Sequence, residues 1–333
     1  TVLRFGEARD PFAASIDASA DQAVHLPRDL AAARRAIAEQ TLDVLLFTDI
    51  GMHPLTYYLA FARLAPVQCT TWGHPITSGV PGIDYYLSAA PIEPAGAQAH
   101  YTEQLVTFDR LPTYYDRPAA PASPMARRKL GVAEDEHLYL CPQSLFKLHP
   151  DFDEAVRGIL EADAKARIVL IEGSQARWTE TIRQRLAGRV GASVSRVTFA
   201  PRVSSADFSA LLLAADVMLD PLHFGGGNTT YQALALGVPI VTMPGAFMRG
   251  RVTAGCYAQM GLDRCVAHTL GEYIDAATVL ATDGDARRET SRAIAARSDL
   301  IFGDRRFIDE AARFFEHAVA AARGDERSQR AAA

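Results

Sequence analysis

The sequence predicts an α/β protein of two lobes, each a parallel sheet covered by helices. Three observations carry this. Short apolar runs alternate with amphipathic helical runs along most of the 333 residues. The apolar runs show no period-two alternation, so both faces of each strand are buried, as in parallel sheets under helices. A stretch poor in periodicity, residues 111–124 with the segment DRPAAPASP, interrupts the alternation and marks a linker.

The elements follow in order. A helix over residues 27–39 leads into a strand at 43–48 (DVLLFT). A helix is expected at 54–64, between that strand and two more at 66–72 and 84–88. After the linker, strands are expected at 137–141, 167–172, 196–199, 216–219 and 239–243. Helices fill the gaps, most clearly at 151–161, 179–187 and in the segment TTYQALALG. The end is helical at 271–281, 285–296 and 304–322. The division read from this is a first lobe over 1–115, a linker over 116–128, a second lobe over 129–303 and a final helix over 304–323. The chain opens at Thr1 in mid-pattern, which implies residues upstream and an incomplete first lobe.

Composition narrows the class. Hydrophobic residues make up 49%, charged residues 22%, and the net charge is −5. This is a globular composition. No basic block suggests nucleic acid, no apolar run spans a bilayer, and no signal-peptide pattern opens the chain. The expectation is a cytoplasmic protein without membrane or nucleic-acid partners. Four cysteines stand in apolar surroundings without paired spacing, which reads as buried thiols.

The run HFGGGNTTYQALALGVPIVTMPG carries the most chemistry. Gly225, Gly226 and Gly227 precede Asn228, Thr229 and Thr230 at the start of a helix. Glycine lets backbone approach a ligand closely and adopt positive φ. Asn and Thr are good N-caps. A helix start presents unpaired N–H groups and partial positive charge, which suits a phosphate. A loop that merely turns a strand into a helix has the same local pattern. Lys147, in SLFKLHP, follows another strand, where an ammonium can neutralise a phosphate leaving group or simply face solvent. Arg249 and Arg251, in FMRGRV, repeat that logic after the strand at 239–243. His53, in DIGMHP, and His74, in WGHPITSG, follow first-lobe strands. Either can serve as a base near neutral pH or play a structural part.

Other signals fail. Asp151-Phe152-Asp153 has the DxD form of a metal motif, but it opens a helix after Pro150, where capping and dipole compensation explain it. The chain has no GxGxxG, GxxxxGK[ST], HExxH, CxxC or GxSxG, so no metal and no dinucleotide cofactor is expected.

Four stretches together resemble the O-GlcNAc transferase and SPINDLY family, glycosyltransferase family 41, in particular bacterial members with tetratricopeptide repeats. They are residues 49–79, 100–108 (HYTEQLVTF), 144–150 (SLFKLHP) and 216–252. The resemblance implies a GT-B fold, two Rossmann-like lobes about a cleft, with the first on the acceptor side. It implies an inverting, metal-independent transfer of a sugar, GlcNAc, from a UDP-sugar to Ser or Thr of a protein or peptide. Relatives also use GDP-fucose, or glucosylate Asn. Tetratricopeptide repeats are expected upstream. By position, Lys147 matches the lysine on the diphosphate, and Asn228, Thr229 and Thr230 match the helix start that holds it. Arg251 matches an arginine after the MPG turn, and His53 a first-lobe histidine on the acceptor side. Arg202, Val203 and Phe208 fall in the base-binding segment.

Two departures are visible. The family often places a carboxylate for the ribose on the glycine-loop helix; this chain has Tyr231, Gln232 and Ala233, leaving Gln232 for that contact. Phe208 stands where animal enzymes carry a histidine. Alternatives stay open at this level: a nucleotide-sugar-binding domain without turnover, or a GT-B enzyme acting on a glycan or small molecule.

Overall fold

The runs HLYLC and ARIVLI lack polar alternation, and they pair side by side in a buried parallel sheet. The computed structural model describes residues 1–6 and 11–332. The chain divides into two units. The first comprises Thr1–Ala89, Gly96–Phe108 and Ile308–Ala333; the second comprises Ala90–Ala95 and Asp109–Phe307.

The first unit runs β1 (Val2–Phe5), α1 (Pro11–Ser19), β2 (Ala23–Leu26), α2 (Leu30–Ala38), β3 (Val44–Phe47), α3 (Pro54–Leu59), β4 (Val67–Thr71), β5 (Tyr85–Ala89) and β6 (Gln104–Phe108). β1 and β2 form a small parallel pair, and the other four strands form a parallel sheet in the order β3-β4-β5-β6. β1 (VLRF) and β2 (AVHL) are only partly buried and span four residues each, too few to show a period. Leu26, Ala33, Ile37, Leu45, Phe47, Ile50 and Leu59 form its core.

The second unit runs β7 (His137–Cys141), α4 (Asp151–Ala162), β8 (Ala166–Ile171), α5 (Ala176–Val190), β9 (Val197–Ala200), α6 (Ser205–Ala214), β10 (Val217–Leu219), α7 (Asn228–Ala235), β11 (Ile240–Val241), α8 (Val252–Met260), α9 (Leu270–Thr282) and α10 (Gly284–Arg297). The sheet order is β11-β10-β7-β8-β9, parallel throughout. Leu138, Leu140, Ile168, Val169, Val217, Met218, Ile240 and Val241 are fully buried in it. β11 is shorter than expected because Pro239 has no N–H for the ladder and Thr242 leaves it to bridge Val266.

The proline-rich stretch is ordered against this unit. Thr113 shares a 2.9 Å hydrogen bond with the Tyr231 hydroxyl, and Tyr115 stacks on Tyr231 at 4.6 Å. Arg117 donates to Ala235 O and lies over the Phe302 ring. The last helix, α11 (Arg306–Ala332), lies mostly within the first unit. All four cysteines are buried and unpaired, and burial pushes the Cys69, Cys141 and Cys256 thiols up to about 12. Among the described residues, no helix is long and apolar enough to cross a membrane.

Candidate active site

In the second unit the chain builds β7, β8 and β9 outward in one direction, then returns to place β10 on the other side of β7. The loops leaving the carboxyl ends of β7 and β10 therefore diverge, and such a switch point opens a crevice in α/β sheets. The β7 loop carries Lys147 and the β10 loop carries the glycine run, so topology brings together two motifs far apart in sequence. Lys147 Nζ donates to Gly225 O at 2.9 Å and Gln143 Oε1 at 3.3 Å. It also lies 4.5 Å from the centre of the Phe224 ring. Burial lowers the Lys147 ammonium below the usual lysine range, and the Asp220 carboxylate opposes that shift.

Gln143 in turn donates to Thr229 Oγ1 at 2.5 Å, joining the β7 loop to the first turn of α7. The glycines serve close packing. None of Gly225, Gly226 and Gly227 has positive φ, contrary to one of the two reasons expected for them. A Cβ on Gly225 would lie 2.7 Å from Asp220 Oδ2, and one on Gly226 would lie 2.5 Å from Thr230 Oγ1 and 2.8 Å from Thr229 Oγ1. Gly227 is the N-cap of α7, without a side-chain cap bond, so Asn228 and Thr229 are helical rather than capping. That leaves the first N–H groups of α7 without intrahelical acceptors. Thr230 is fully buried, and its hydroxyl is bound to that of Thr253, 2.9 Å away. Its part is to anchor the helix start, while Thr229 is the half-exposed hydroxyl.

Asp220 underlies the whole loop and escaped the sequence reading. Its buried carboxylate accepts from Gly226 N at 2.7 Å and Thr242 Oγ1 at 2.8 Å. Burial pushes this carboxyl above its ordinary range, against the pull of those donors and of Lys147. Its only sequence signal is an acid closing an apolar strand just before the glycines. Gln143 gave no signal, because only the fold puts it beside Thr229.

Gln143, Thr229, Arg202, Val203 and Phe208 line one cavity of about 390 Å³, together with Trp178 and Glu172. The expected base-binding residues and the helix start thus share a chamber, with Trp178 and Phe208 as aromatic walls. Arg251 donates to Gly245 O at 3.0 Å, and its buried Nε has no acceptor among the described residues. Arg249 lies over the Phe247 ring, and its carbonyl accepts from Gly225 N at 2.9 Å. Gln232 is half-buried on α7.

The DxD reading resolves differently from capping. Pro150 precedes α4 with no side-chain cap bond. Asp153 is buried and pairs with Arg185 through two bonds of 2.7 and 2.8 Å, and Asp151 faces His223.

In the first unit, His53 and His74 follow the carboxyl ends of adjacent strands β3 and β4. His53 caps α3, its Nδ1 accepting from Leu55 N at 3.2 Å, and its ring stacks on Phe5 at 5.6 Å. His74 is half-buried, and burial lowers its imidazolium below the usual range. Its ring packs so closely on Gly51 (φ +90°) that a Cβ there would lie 2.6 Å away. The loop after His74 is clamped by Glu103, which accepts from Thr77 Oγ1 at 2.7 Å, Ser78 N at 2.8 Å and the Ser78 hydroxyl.

A profile of glycosyl transferase family 41 matches residues 120–307, more than half of the chain. A protein named "Probable UDP-N-acetylglucosamine--peptide N-acetylglucosaminyltransferase SPINDLY" from Solanum lycopersicum is 30% identical over 66% of this chain and 24% of its own length. A "UDP-glucose:protein N-beta-glucosyltransferase" from Actinobacillus pleuropneumoniae serotype 7 is 27% identical over 78% of this chain and 42% of its own. The chain thus spans about a quarter of the length of the SPINDLY relative. The structure of a mutant O-GlcNAc transferase from Thermobaculum terrenum superposes with a TM-score of 0.84 at 25% identity, covering 96% of this chain and 62% of that one. Sucrose-phosphate synthase from Thermosynechococcus elongatus reaches a TM-score of 0.61 at 13% identity, over 90% of this chain and 81% of its own, and shows the shared fold alone. The fold is α/β of the GT-B type. With the profile lying over the switch-point loops and the cavity between them, the chain belongs to glycosyl transferase family 41.

Proposed function

We propose that this chain is the catalytic region of an inverting, metal-independent glycosyltransferase that moves GlcNAc from a UDP-sugar to a Ser or Thr hydroxyl of a protein. The observation that carries the proposal is Lys147 hydrogen-bonded to the glycine turn, with the start of α7 beside it. Backbone N–H groups and an ammonium there meet the charge of a diphosphate without a bridging ion. The cavity beyond, between Trp178 and Phe208, suits a flat base. In the reaction the acceptor oxygen bonds to the anomeric carbon as the bond from that carbon to the β-phosphate oxygen breaks. UDP departs with the electron pair, and the acceptor proton passes to a base, for which His53 and His74 are the candidates. The charge that grows on the β-phosphate is what Lys147 and the α7 amides stabilise. Arg251 and Gln232 are assigned to the diphosphate and ribose by their places in the family pattern.

Calorimetry with UDP, with and without EDTA, tests the seat. Affinity is expected to survive chelation and to be lost in Gly226→Ala, whose Cβ displaces the Thr229 and Thr230 hydroxyls. Binding that vanishes in EDTA overturns metal independence, and binding untouched in Gly226→Ala overturns the site. Turnover assays with UDP-GlcNAc and UDP-glucose on peptide acceptors then decide the sugar. The UDP-glucose arm is included because protein glucosyltransferases are among the relatives. UDP binding without turnover of either donor would leave a nucleotide-sugar-binding domain.

A further inference from the structure

Beside the diphosphate seat, three side chains converge from the two switch-point loops. His149 and Asp151 stand at the entry to α4, and His223 stands in the turn after β10. One ring nitrogen of each histidine and one carboxylate oxygen of Asp151 all lie within 4.8 Å of one another, and all three residues are exposed. His223 Nε2 is 2.7 Å from Asp151 Oδ2, and His149 Nδ1 is 3.4 Å from the same oxygen. The two imidazoles meet edge to face with centroids 4.7 Å apart. We propose that His149, Asp151 and His223 form a binding site for a divalent transition-metal ion of the Zn²⁺ class.

The donor chemistry fits that class. Two imidazole nitrogens and one carboxylate oxygen are a common three-residue set for zinc, with a fourth position left open to water. Ligand atoms at ~2.0–2.2 Å from a tetrahedral ion stand about 3.3 Å from one another. The observed separations bracket that value, so small side-chain rotations close the site.

The surroundings leave this carboxylate to the histidines. Arg185 is held by both oxygens of Asp153 and by Leu148 O. Arg189 pairs with Glu154. His149 Nδ1 accepts the Asp151 N–H at 3.2 Å, which holds the ring beside the carboxylate; ligation through that same lone pair replaces this hydrogen bond. His223 holds φ at +69°, a conformation uncommon outside glycine, and from it the ring faces Asp151. The turn has therefore already set the imidazole in place.

The position gives the ion a consequence. His149 lies two residues after Lys147, and His223 lies two residues before Gly225. An ion held by all three ties the β7 loop to the β10 loop outside the nucleotide cavity, and so stiffens the pair of loops that carry Lys147 and the glycine run. It needs no nucleotide to bind.

The test uses the whole chain, freed of metal by EDTA dialysis, with no nucleotide present. Zinc chloride is titrated by calorimetry, and Co²⁺ is followed by its visible d–d absorption. One equivalent is expected to bind in the micromolar range and to raise the melting temperature, since the ion favours the folded state. His149→Ala and Asp151→Asn should each weaken binding about tenfold or more, because even outer-shell losses at metal sites cost ~10–100-fold. His223→Asn, chosen because asparagine tolerates positive φ, should do the same. Melting of the three variants in EDTA confirms that they fold. No saturable binding at millimolar zinc overturns the proposal, leaving a hydrogen-bonded triad. Binding equally tight in His149→Ala and His223→Asn overturns it too, since the ion then sits elsewhere. Neither result touches the nucleotide seat, which is read separately by UDP in EDTA.

Discussion

Lys147 combines two properties that usually oppose each other: it is half-buried, and among the described residues its ammonium has only neutral acceptors at hydrogen-bond distance, Gly225 O and Gln143 Oε1. Burial lowers its pKa, so it gives up its proton more readily than a surface lysine. A cation placed this way gains most when a leaving group charges beside it. Lys147→Ala is therefore expected to reduce turnover more than UDP affinity, by ~2–4 kcal/mol of transition-state stabilisation, by analogy with loss of one oxyanion donor. The pH dependence follows from the direction of the shift. The charged form is lost as pH rises through the lowered value, so UDP affinity should fall on the alkaline side earlier than for an ordinary lysine. Affinity measured against pH should show that fall in the parent and not in Lys147→Ala. Equal turnover in the two would make Lys147 a structural lysine. At this scale the string of letters shows what is rare and local, a lysine and three glycines after apolar runs. It hides Asp220 and Gln143, whose importance arises from contacts across the sheet. It also hides the left-handed backbone of His223, which histidine tolerates better than most residues but seldom adopts.

The motif HYTEQLVTF gains its meaning from an element it does not touch in sequence. Glu103, just before β6, is buried and clamps Thr77 and Ser78 in the loop after β4. Its carboxyl is pushed up by burial, but the hydrogen bonds from Ser78 and Thr77 win and hold it below the ordinary range. Its folded pKa is thus lower than its unfolded one. The stability it contributes is present above the unfolded value and is lost as pH falls through the folded value. Glu103→Gln keeps the shape but replaces one acceptor oxygen with a donor, and a loss of about 1–3 kcal/mol at pH 7 is expected for the buried group left mispaired. Thermal melts at neutral and acid pH check this, since the gap between parent and variant should narrow as pH falls. A gap that stays constant would mean the clamp carries no linked proton. The same logic explains which elements were legible. Strands β3, β7 and β8 are apolar runs within sheets, and helices α4 and α5 have amphipathic periods, so each is visible locally. β6 reads QLVTF without a clean period, and β1 and β2 are four-residue strands only partly buried, so no local pattern lifts them above a loop.

The chain does not build one unit and then the other. It begins in the first unit, passes through the second at Ala90–Ala95, returns for Gly96–Phe108, builds the second over Asp109–Phe307, and ends with Ile308–Ala333 back in the first. The apolar period of residues 304–322 reveals a helix, but no periodicity can say which surface receives it. In the structure α11 lays Phe314 against Tyr85 of β5, with centroids 5.1 Å apart, and against Phe108 of β6 at 6.2 Å. Arg323 pairs with Asp43 at 2.7 Å, an exposed contact that adds little beside the ring packing. The first unit therefore takes part of its stability from the last residues of the chain. Phe314→Ala removes that packing. Phe314 is half-buried, so the cost should be about 1–3 kcal/mol, below the ~3–5 kcal/mol of a fully buried phenylalanine. Hydrogen exchange resolves where the loss falls. Amides of β5 and β6 should lose protection in the variant, while β7, β8 and β10, in the other unit, keep theirs, and UDP affinity stays unchanged. If protection fell equally in both sheets, the two units would unfold as one and α11 would not be a local support of the first. If protection in β5 and β6 did not change, the ring contacts would contribute nothing and the sheet would be held by its own core alone.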